Sequence, residues 1–572
     1  MDKTPGIIKN VPRLNKKEIL IPIVLFLFAF SIRFAYLNQI KNCPLFTPSE
    51  ATVDEYLYDS WAKDIAFNDP IGKEAFWGLP LYPYFLGFIY FLFGPNVYIA
   101  RLIQFLIGSI NCALLYCIGQ KIFNKQVGII SGVILSLYNT SIFYEGLLVS
   151  STISIFLACV LILLVLDLEQ NPNFKKSAIL GLTLGLAGLA MPSIFLFMLF
   201  LFFWSLRHFR YLLFSMLLCF AIILSVTVRN YVLEKDFIPI TAHSGINFYA
   251  GNNPAAKGTF GLPAYLGANT NTIRENSKTV AEKYLKIKLT PSQVSGFWFN
   301  EGLNFIKSEP LSYLSLLFKK FLLFWNQYEI SDIFDMQFFR KFAGVLKLPL
   351  VNYAFISAFA LLGLFLSFPQ KNKNYILLQL FILSVLASLM IYFVNTRYRL
   401  PAIPALILFS SYGLYRLYKA VIAKQYTFLS CCLAGLVVFF FLGGIKLVRP
   451  APENAHINLG VVYLDKKMTR EAAAEFQKAL ELNPDHPFIH NNLGIAYKKL
   501  GRTDEAIKEY KIAIELAPGD SNTYHNLGLL YFEQGRYVEA IENFKKVLEI
   551  NPGLEEARKK IALCYEAIGH AK

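Results

Sequence analysis

Thr47-Pro48-Ser49-Glu50-Ala51-Thr52-Val53-Asp54-Glu55-Tyr56 is a polar stretch that follows directly on an apolar run, Ile19 to Leu37, of membrane-spanning length. The chain therefore leaves a bilayer here and starts a helix. Thr52-x-x-Glu55 has the spacing of a capping box, which puts Glu55 at the third helical position, folded back on the cap, and leaves Asp54 free. Asp59 follows one turn later, and the polar interval runs on to Tyr84. A free carboxylate at a helix start, held at a membrane surface, suits a general base. The same residues also suit a solvated, capped loop helix with no chemistry.

The composition demands a membrane. Of 572 residues, 55% are hydrophobic and 16% aromatic, and the mean hydropathy is +0.44. The net charge of +16 is unevenly placed, because the segment from Ala451 onward holds 16 Lys/Arg against 18 Asp/Glu. The basic excess thus sits in loops between apolar runs, which points to membrane topology and anionic lipid and excludes nucleic acid as a partner. Cys112, Cys117, Cys159, Cys219, Cys431 and Cys432 lie inside apolar runs, and the eight cysteines show neither a disulfide framework nor zinc spacing.

Working outward, residues 1–18 form a basic, cytoplasmic tail, and 19–37 read as an uncleaved signal anchor. Leu79-Pro80-Leu81-Tyr82-Pro83-Tyr84 opens a short aromatic run that lies along the interface. Spans are expected near 97–118, 127–144, 147–168, 177–191, 193–206, 211–233, 350–367, 375–394, 401–418 and 427–447, about eleven with the first. Lys121, Lys125, Lys175, Lys176, Arg207 and Arg210 then fall inside, whereas Asp54 and Glu145 fall outside. Two external loops result, 38–96 and 234–348. The second holds His243 and the turn-rich Gly251-Asn252-Asn253-Pro254. His243, Asn252, Asn253 and Tyr82 are candidate external-loop contacts to substrate. Leu311 to Trp325, broken by Lys319-Lys320, reads as a surface-lying helix.

A hinge at 449–452 ends the membrane domain, 19–448. Beyond it Leu459-Gly460, Leu493-Gly494 and Leu527-Gly528 recur every 34 residues, with Tyr463, Tyr497 and Tyr531, then Ala472, Ala506 and Ala540, in step. This is the tetratricopeptide signature: three repeats, 453–486, 487–520 and 521–554, plus a closing helix, on the external side because the span count is odd. The fold class is all-α, a polytopic membrane domain followed by a soluble α-solenoid. Asn458, Asn492 and Asn526 share one repeat position, and their amides can both donate to and accept from an acceptor peptide backbone. They resemble the asparagine ladder of the protein-modifying O-linked N-acetylglucosamine transferase. Asn-Leu-Gly is equally a common feature of such repeats.

Arg397-Tyr398-Arg399 stands at the external end of a span, against the positive-inside bias. Guanidinium groups there suit a lipid-linked phosphate, with Arg229 a further candidate, or ordinary headgroups. No Walker motif, dinucleotide fingerprint or metal-binding His pair is present, so a soluble nucleotide sugar is not the expected donor.

Asp54-Glu55, Leu79-Pro80-Leu81-Tyr82, Phe143-Tyr144-Glu145 and Arg397-Tyr398-Arg399-Leu400-Pro401, in that order, resemble the GT-C membrane glycosyltransferases, in particular the protein O-mannosyltransferases and bacterial aminoarabinose transferases. The resemblance covers roughly residues 15–420. It implies a polyprenyl-phosphate-linked sugar donor, inversion at the anomeric carbon, and external chemistry, with a bacterial inner membrane as the setting. It also implies Asp54 as catalytic carboxylate, Glu55 beside it, and Glu145 as a second carboxylate near the site; any divalent metal would fall to Asp54 and Glu145. The chain has Gly78 where the aminoarabinose transferases carry a lysine, so that contact to the carrier phosphate is not expected. The fusion to repeats is similar to the tetratricopeptide-carrying O-mannosyltransferases that modify cadherins. The reading is protein O-glycosylation, with the repeats recruiting the acceptor. Its rivals are transfer to a lipid or envelope glycan with the repeats docking a partner, and a non-enzymatic membrane scaffold.

Overall fold

The computed structural model describes residues 16–570 apart from 50–53, 268–269, 331–333, 335, 349, 449–450 and 552. Most of the basic tail, Thr52 of the expected capping box, and Arg449-Pro450 of the hinge lie outside the described residues. In chain order the first helices are α1 (Lys16–Ile40), α2 (Asp54–Phe67), α3 (Leu81–Phe93), α4 (Val97–Ile122), α5 (Lys125–Leu137), α6 (Asn139–Glu145), α7 (Ser151–Gln170), α8 (Phe174–Gly188), α9 (Ser193–Trp204) and α10 (Phe209–Glu234). The intervening segment forms α11 (Ser244–Gly251), α12 (Thr270–Leu285), α13 (Pro291–Ser308), α14 (Pro310–Trp325) and α15 (Met336–Phe339). Then follow α16 (Tyr353–Ser367), α17 (Lys373–Ile391), α18 (Thr396–Arg399), α19 (Ile403–Ile422) and α20 (Tyr426–Gly443). The repeats are α21 (Glu453–Asp465), α22 (Thr469–Leu482), α23 (Pro487–Lys499), α24 (Thr503–Leu516), α25 (Ser521–Glu533), α26 (Tyr537–Ile550) and the closing α27 (Glu555–His570).

Asparagine starts many of the apolar helices. The side chains of Asn96, Asn124, Asn173 and Asn352 accept from backbone N–H groups at the starts of α4, α5, α8 and α16, satisfying donors the first turn leaves open. The helices then pack through small residues. A Cβ on Gly363 would meet the Phe409 carbonyl oxygen at 1.9 Å, so only glycine permits the approach of α16 to α19.

Eight helical segments among the described residues are long and apolar enough to cross a membrane: Ile19–Ile40, Val97–Ile122, Ser151–Gln170, Leu206–Glu234, Tyr353–Gln370, Lys373–Ile391, Thr396–Ile422 and Tyr426–Gly443. The expected count of about eleven is not reached. Residues 127–144 do not form one span, because the helix breaks at Tyr138, where the backbone bridges to Val351. The expected spans 177–191 and 193–206 become α8 and α9, of 15 and 12 residues. At 1.5 Å per residue these reach only about 18–23 Å, short of a ~30 Å hydrocarbon core. Parity therefore no longer assigns a side to the repeats. Lipid-facing surface is plain on α10 and α20, whose Leu217, Phe220, Leu224, Val437 and Phe441 are exposed.

α3 lies against α2, burying Tyr82, Leu86, Ile89 and Tyr90 and exposing Phe88, Phe91 and Phe93. α11 to α13 have a small core of their own, in which Ile246, Leu266, Val294 and Trp298 receive Trp77 from the first loop. α14 exposes Leu311, Leu314 and Phe318 while burying Leu316, Lys320 and Leu323. In the repeats Gly460, Gly494 and Gly528 lie under Phe476, Tyr510 and Phe544, where a Cβ would come within 2.6–2.9 Å of the ring. The first repeat does not stand free. Ala455, Leu459 and Val462 join the membrane domain's core, Lys466 donates to the Pro44 carbonyl at 2.6 Å, and His456 packs on Phe338. The array thus sits at the end of α1 from which the chain leads to Asp54.

Candidate active site

Adjacent residues on a helix point about 100° apart, and α2 uses this to send its first two carboxylates in different directions. Asp54 faces α18, where Arg397 donates Nη1–H to its Oδ2 at 2.7 Å. Arg397 is held in turn: Asn395 caps α18 by accepting from the Tyr398 N–H, and Arg397 Nη2 donates to the Tyr398 hydroxyl at 3.0 Å. The Arg397 side chain is 9% exposed and that of Asp54 24%, so the pair is partly open. Arg397 lines a cavity of about 140 Å³ together with His243, Asn247, Tyr392, Tyr398, Ser150 and Ser151. Met191, Val385, Leu389 and Phe393 form its apolar wall. His243 sits near both Asp54 and Arg397 and packs on Trp77; burial holds its imidazole at about 4, neutral at ordinary pH.

Glu55 turns inward. It is fully buried, accepts from the Leu148 N–H at 2.6 Å and pairs with Arg101 Nη2 at 3.3 Å. Burial pushes its carboxyl up, and Arg101 and the Leu148 N–H oppose the rise. This corrects the capping-box expectation: the carboxylate is spent on α4 and on the turn before α7. Arg101 also donates to the carbonyls of Gly146, at 2.7 Å, and Phe46. Gln104 donates to the carbonyls of Glu145 and Leu147, each at 2.8 Å, while accepting from the Tyr82 hydroxyl at 2.5 Å.

The other expected site residues are dispersed. Glu145 is 2% exposed and accepts from Arg33 Nε at 2.5 Å, Arg33 Nη2 at 2.9 Å and Ser141 Oγ at 2.8 Å. A Cβ on Gly108 would lie 2.1 Å from its Oε2, so α4 is cut away to admit the pair. Glu145 is thus saturated inside the helix bundle and neither lines the cavity nor shares the guanidinium that Asp54 holds. Arg399 is also turned away, 1% exposed over the Tyr353 ring, donating to the carbonyls of Phe324 and Asn326 and to Glu329 at 2.9 Å. Arg399 is not among the residues that line the cavity. Arg229 binds the Ile71 carbonyl at 2.7 Å and stacks on Phe76, fastening the first loop. Tyr82 is buried on Gln104. Asn252 accepts from the buried Lys320 at 3.0 Å and donates to two carbonyls, and Asn253 ties its own loop to Gly261. Of the expected contacts, Asp54, Arg397 and His243 come together; Tyr82, Asn252 and Asn253 hold backbone and core.

Asp54 and Glu145, to which any divalent metal would fall, each hold a different guanidinium. Among the described residues no group of three or more His, Cys, Asp or Glu could bind a metal ion. In the repeats, Asn492 is buried and donates to the Phe488 carbonyl at 2.8 Å, and Asn526 donates across to Asn491 at 3.0 Å. Asn458 and Asn526 are half-buried, so part of the row faces outward. Sequence reasoning missed Arg33, Arg101 and Gln104. Their signal was available, because polar side chains inside apolar spans carry a cost that partners must offset.

These features define a multi-pass helical membrane protein with a largely apolar cavity that Arg397 enters and a tetratricopeptide array docked beside it. Residues 77–230 match the family model described as dolichyl-phosphate-mannose-protein mannosyltransferase, and residues 453–486 and 485–553 match tetratricopeptide repeat models. The N-terminal part of the chain is therefore similar to glycosyltransferases of that family, and the C-terminal part is a repeat array. The matched segment holds the Glu145 and Arg229 region but not Asp54 or Arg397. Among solved structures, the chain is similar to the first TPR of Spaghetti (RPAP3) bound to HSP90 peptide SRMEEVD, at 23% identity over 22% of this chain and 99% of that one, with a TM-score of 0.21. The Sgt2 TPR domain from Aspergillus fumigatus matches at 24% identity over 21% of this chain and 83% of that one (TM-score 0.21). MamA protein matches at 24% identity over 27% and 79% (TM-score 0.20). No curated protein matches the chain.

Proposed function

We propose that this chain is an inverting membrane glycosyltransferase that moves a sugar from a polyprenyl-phosphate carrier to a hydroxyl on a protein recruited by the repeats. The observation that carries the reading is the Asp54–Arg397 pair, 2.7 Å apart at the edge of the apolar-walled cavity. A carrier phosphate entering that cavity competes with Asp54 for the Arg397 guanidinium, since both are oxyanions that accept its paired donors. As Arg397 moves to the phosphate, Asp54 is freed to take a proton. The acceptor oxygen then bonds to the anomeric carbon from the opposite face, the bond from that carbon to the phosphate oxygen breaks, and the hydroxyl proton passes to Asp54. The electron pair leaves with the phosphate, neutralised by Arg397, so the departure requires no strong general acid. Met191, Leu389 and Phe393 suit the lipid end of the carrier.

The match of residues 77–230 to mannosyltransferases supports this chemistry. The docking of α21 on Pro44–Phe46 supports delivery of an acceptor close to Asp54. The test is transfer from a synthetic polyprenyl-phosphate sugar by the purified full-length protein. Asp54→Asn keeps the shape and one acceptor but cannot take the proton, so turnover falls by roughly 10²–10⁴ while the protein remains folded. Undiminished transfer by the Asp54→Asn protein would overturn the assignment.

A further inference from the structure

The turn between α6 and α7, Gly146-Leu147-Leu148-Val149-Ser150, is held by more side chains than a connection needs. Arg101, Gln104 and Glu55 hold the backbone of Glu145, Gly146, Leu147 and Leu148 in fixed positions. What they present is the start of α7, a 20-residue helix. Its cap residue, Ser150, has helical φ and ψ of −67° and −5° and makes no side-chain capping bond. The Ser154 N–H is taken by the Ser150 carbonyl at 2.9 Å. The N–H groups of Ser151, Thr152 and Ile153 meet no acceptor among the described residues. Such a helix start carries a partial positive charge and unspent donors.

A second observation points to a ligand. Ser151 is 2% exposed, it lines the cavity, and its hydroxyl has no hydrogen-bond partner among the described residues. A buried hydroxyl without a partner costs stability unless something binds it. Ser150 and Ser154 line the same wall, and Arg397 lines the cavity as well. No Asp or Glu is among the lining residues. The wall therefore gathers hydrogen-bond donors, and the carboxylate that bears on it, Asp54, acts through its pair with Arg397.

We propose that the N-terminus of α7, with the Ser151 hydroxyl, is a phosphate-binding end of this cavity that works together with Arg397. Resting on the function proposed above, its ligand is the phosphate of the polyprenyl carrier. Helix donors and one guanidinium would then share the phosphate oxygens, as helix starts do for other phosphates. The division of labour also explains why Asp54 and Glu55 are adjacent. Asp54 holds Arg397, and Glu55, one residue on, fixes the turn that aims α7.

The test uses the full-length protein in lipid nanodiscs and three probes: polyprenyl phosphate, the corresponding polyprenol, and inorganic phosphate. Ser151→Asp places a carboxylate in the first turn of α7, which favours the helix but repels a phosphate. The expected result is an unchanged or raised Tm, polyprenyl-phosphate binding weakened about tenfold or more, and polyprenol binding unchanged. Ser151→Ala removes one hydrogen bond and should weaken polyprenyl-phosphate binding about two- to tenfold. The assignment is overturned if both variants bind polyprenyl phosphate like the wild type, or if they lose polyprenol equally, which would mark a steric block. Wild-type protein that binds inorganic phosphate in a Ser151-dependent way, with no preference for polyprenyl phosphate over polyprenol, keeps the anion site and removes the carrier as its ligand, and with it the glycosyltransferase reading. Wild-type preference for polyprenyl phosphate that ignores Ser151 does the reverse.

Discussion

Replacing Glu145 by Gln separates the reading of this residue as a site carboxylate from its place in the fold. The side chain keeps its shape, so Gly108 and Ser141 are undisturbed, but a neutral amide now faces the fully buried Arg33. Arg33 Nε and Nη2 both point at the carboxylate, at 2.5 and 2.9 Å. One amide oxygen can accept one of them, and the amide NH₂ confronts the other, donor against donor. Removing one partner of a buried ion pair leaves an uncompensated charge and costs about 3–5 kcal/mol. The expected outcome is a large drop in thermal midpoint in detergent and a reduced folded yield, with normal turnover for each molecule that is folded. The double variant Arg33→Met with Glu145→Gln should recover much of that loss, because no bare charge remains. Fluorescence-monitored unfolding with size-exclusion chromatography measures the first quantity, and active-site-normalised transfer the second. A Glu145→Gln protein with an unchanged midpoint and a collapsed kcat would refute the reasoning and return Glu145 to the site.

Glu55→Gln is expected to destabilise strongly as well, because it strands the buried Arg101 and loosens the turn before α7; a variant with wild-type midpoint and protease resistance would contradict this. His243 has a folded pKa held at about 4 by burial, below its unfolded value of 6.5. The unfolded state therefore binds the extra proton first, and stability falls by about 1.4 kcal/mol per pH unit as pH drops from 6.5 towards 4. His243→Gln should flatten that part of the stability profile, and an unchanged profile would count against the buried neutral imidazole. Replacing Asn458, Asn492 and Asn526 together by Ala should raise KM for a full-length protein acceptor, by about 0.5–1.5 kcal/mol per hydrogen bond lost. A short hydroxyl acceptor should be unaffected, and equal losses on both, with the array still helical by circular dichroism, would place the effect in the membrane domain.

Much was legible from periodicity and position. The 34-residue recurrence of Leu-Gly, Tyr and Ala specified the array, because each glycine must sit under the aromatic ring of its own repeat, at Phe476, Tyr510 and Phe544. Continuous apolar runs located the eight long helices, since a bilayer core imposes a minimum length. The short helices α5, α8 and α9 were counted as spans because hydropathy does not register where a helix breaks, as at Tyr138. Asp54 and Arg397 stood out as charges at the ends of apolar runs, and they do meet, 343 residues apart in sequence. Which carboxylate met which guanidinium was beyond the sequence. Asp54, Glu55, Glu145, Arg397 and Arg399 are alike as charges beside membrane helices. Only the packing of α1, α2, α4 and α18 determines that Glu55 takes Arg101, Glu145 takes Arg33, Arg399 takes Glu329, and Asp54 is left with Arg397 at the cavity. The reason is physical. A buried charge must find its partner across the fold, and its direction on a helix changes by about 100° with every residue, so neighbours in sequence become strangers in space.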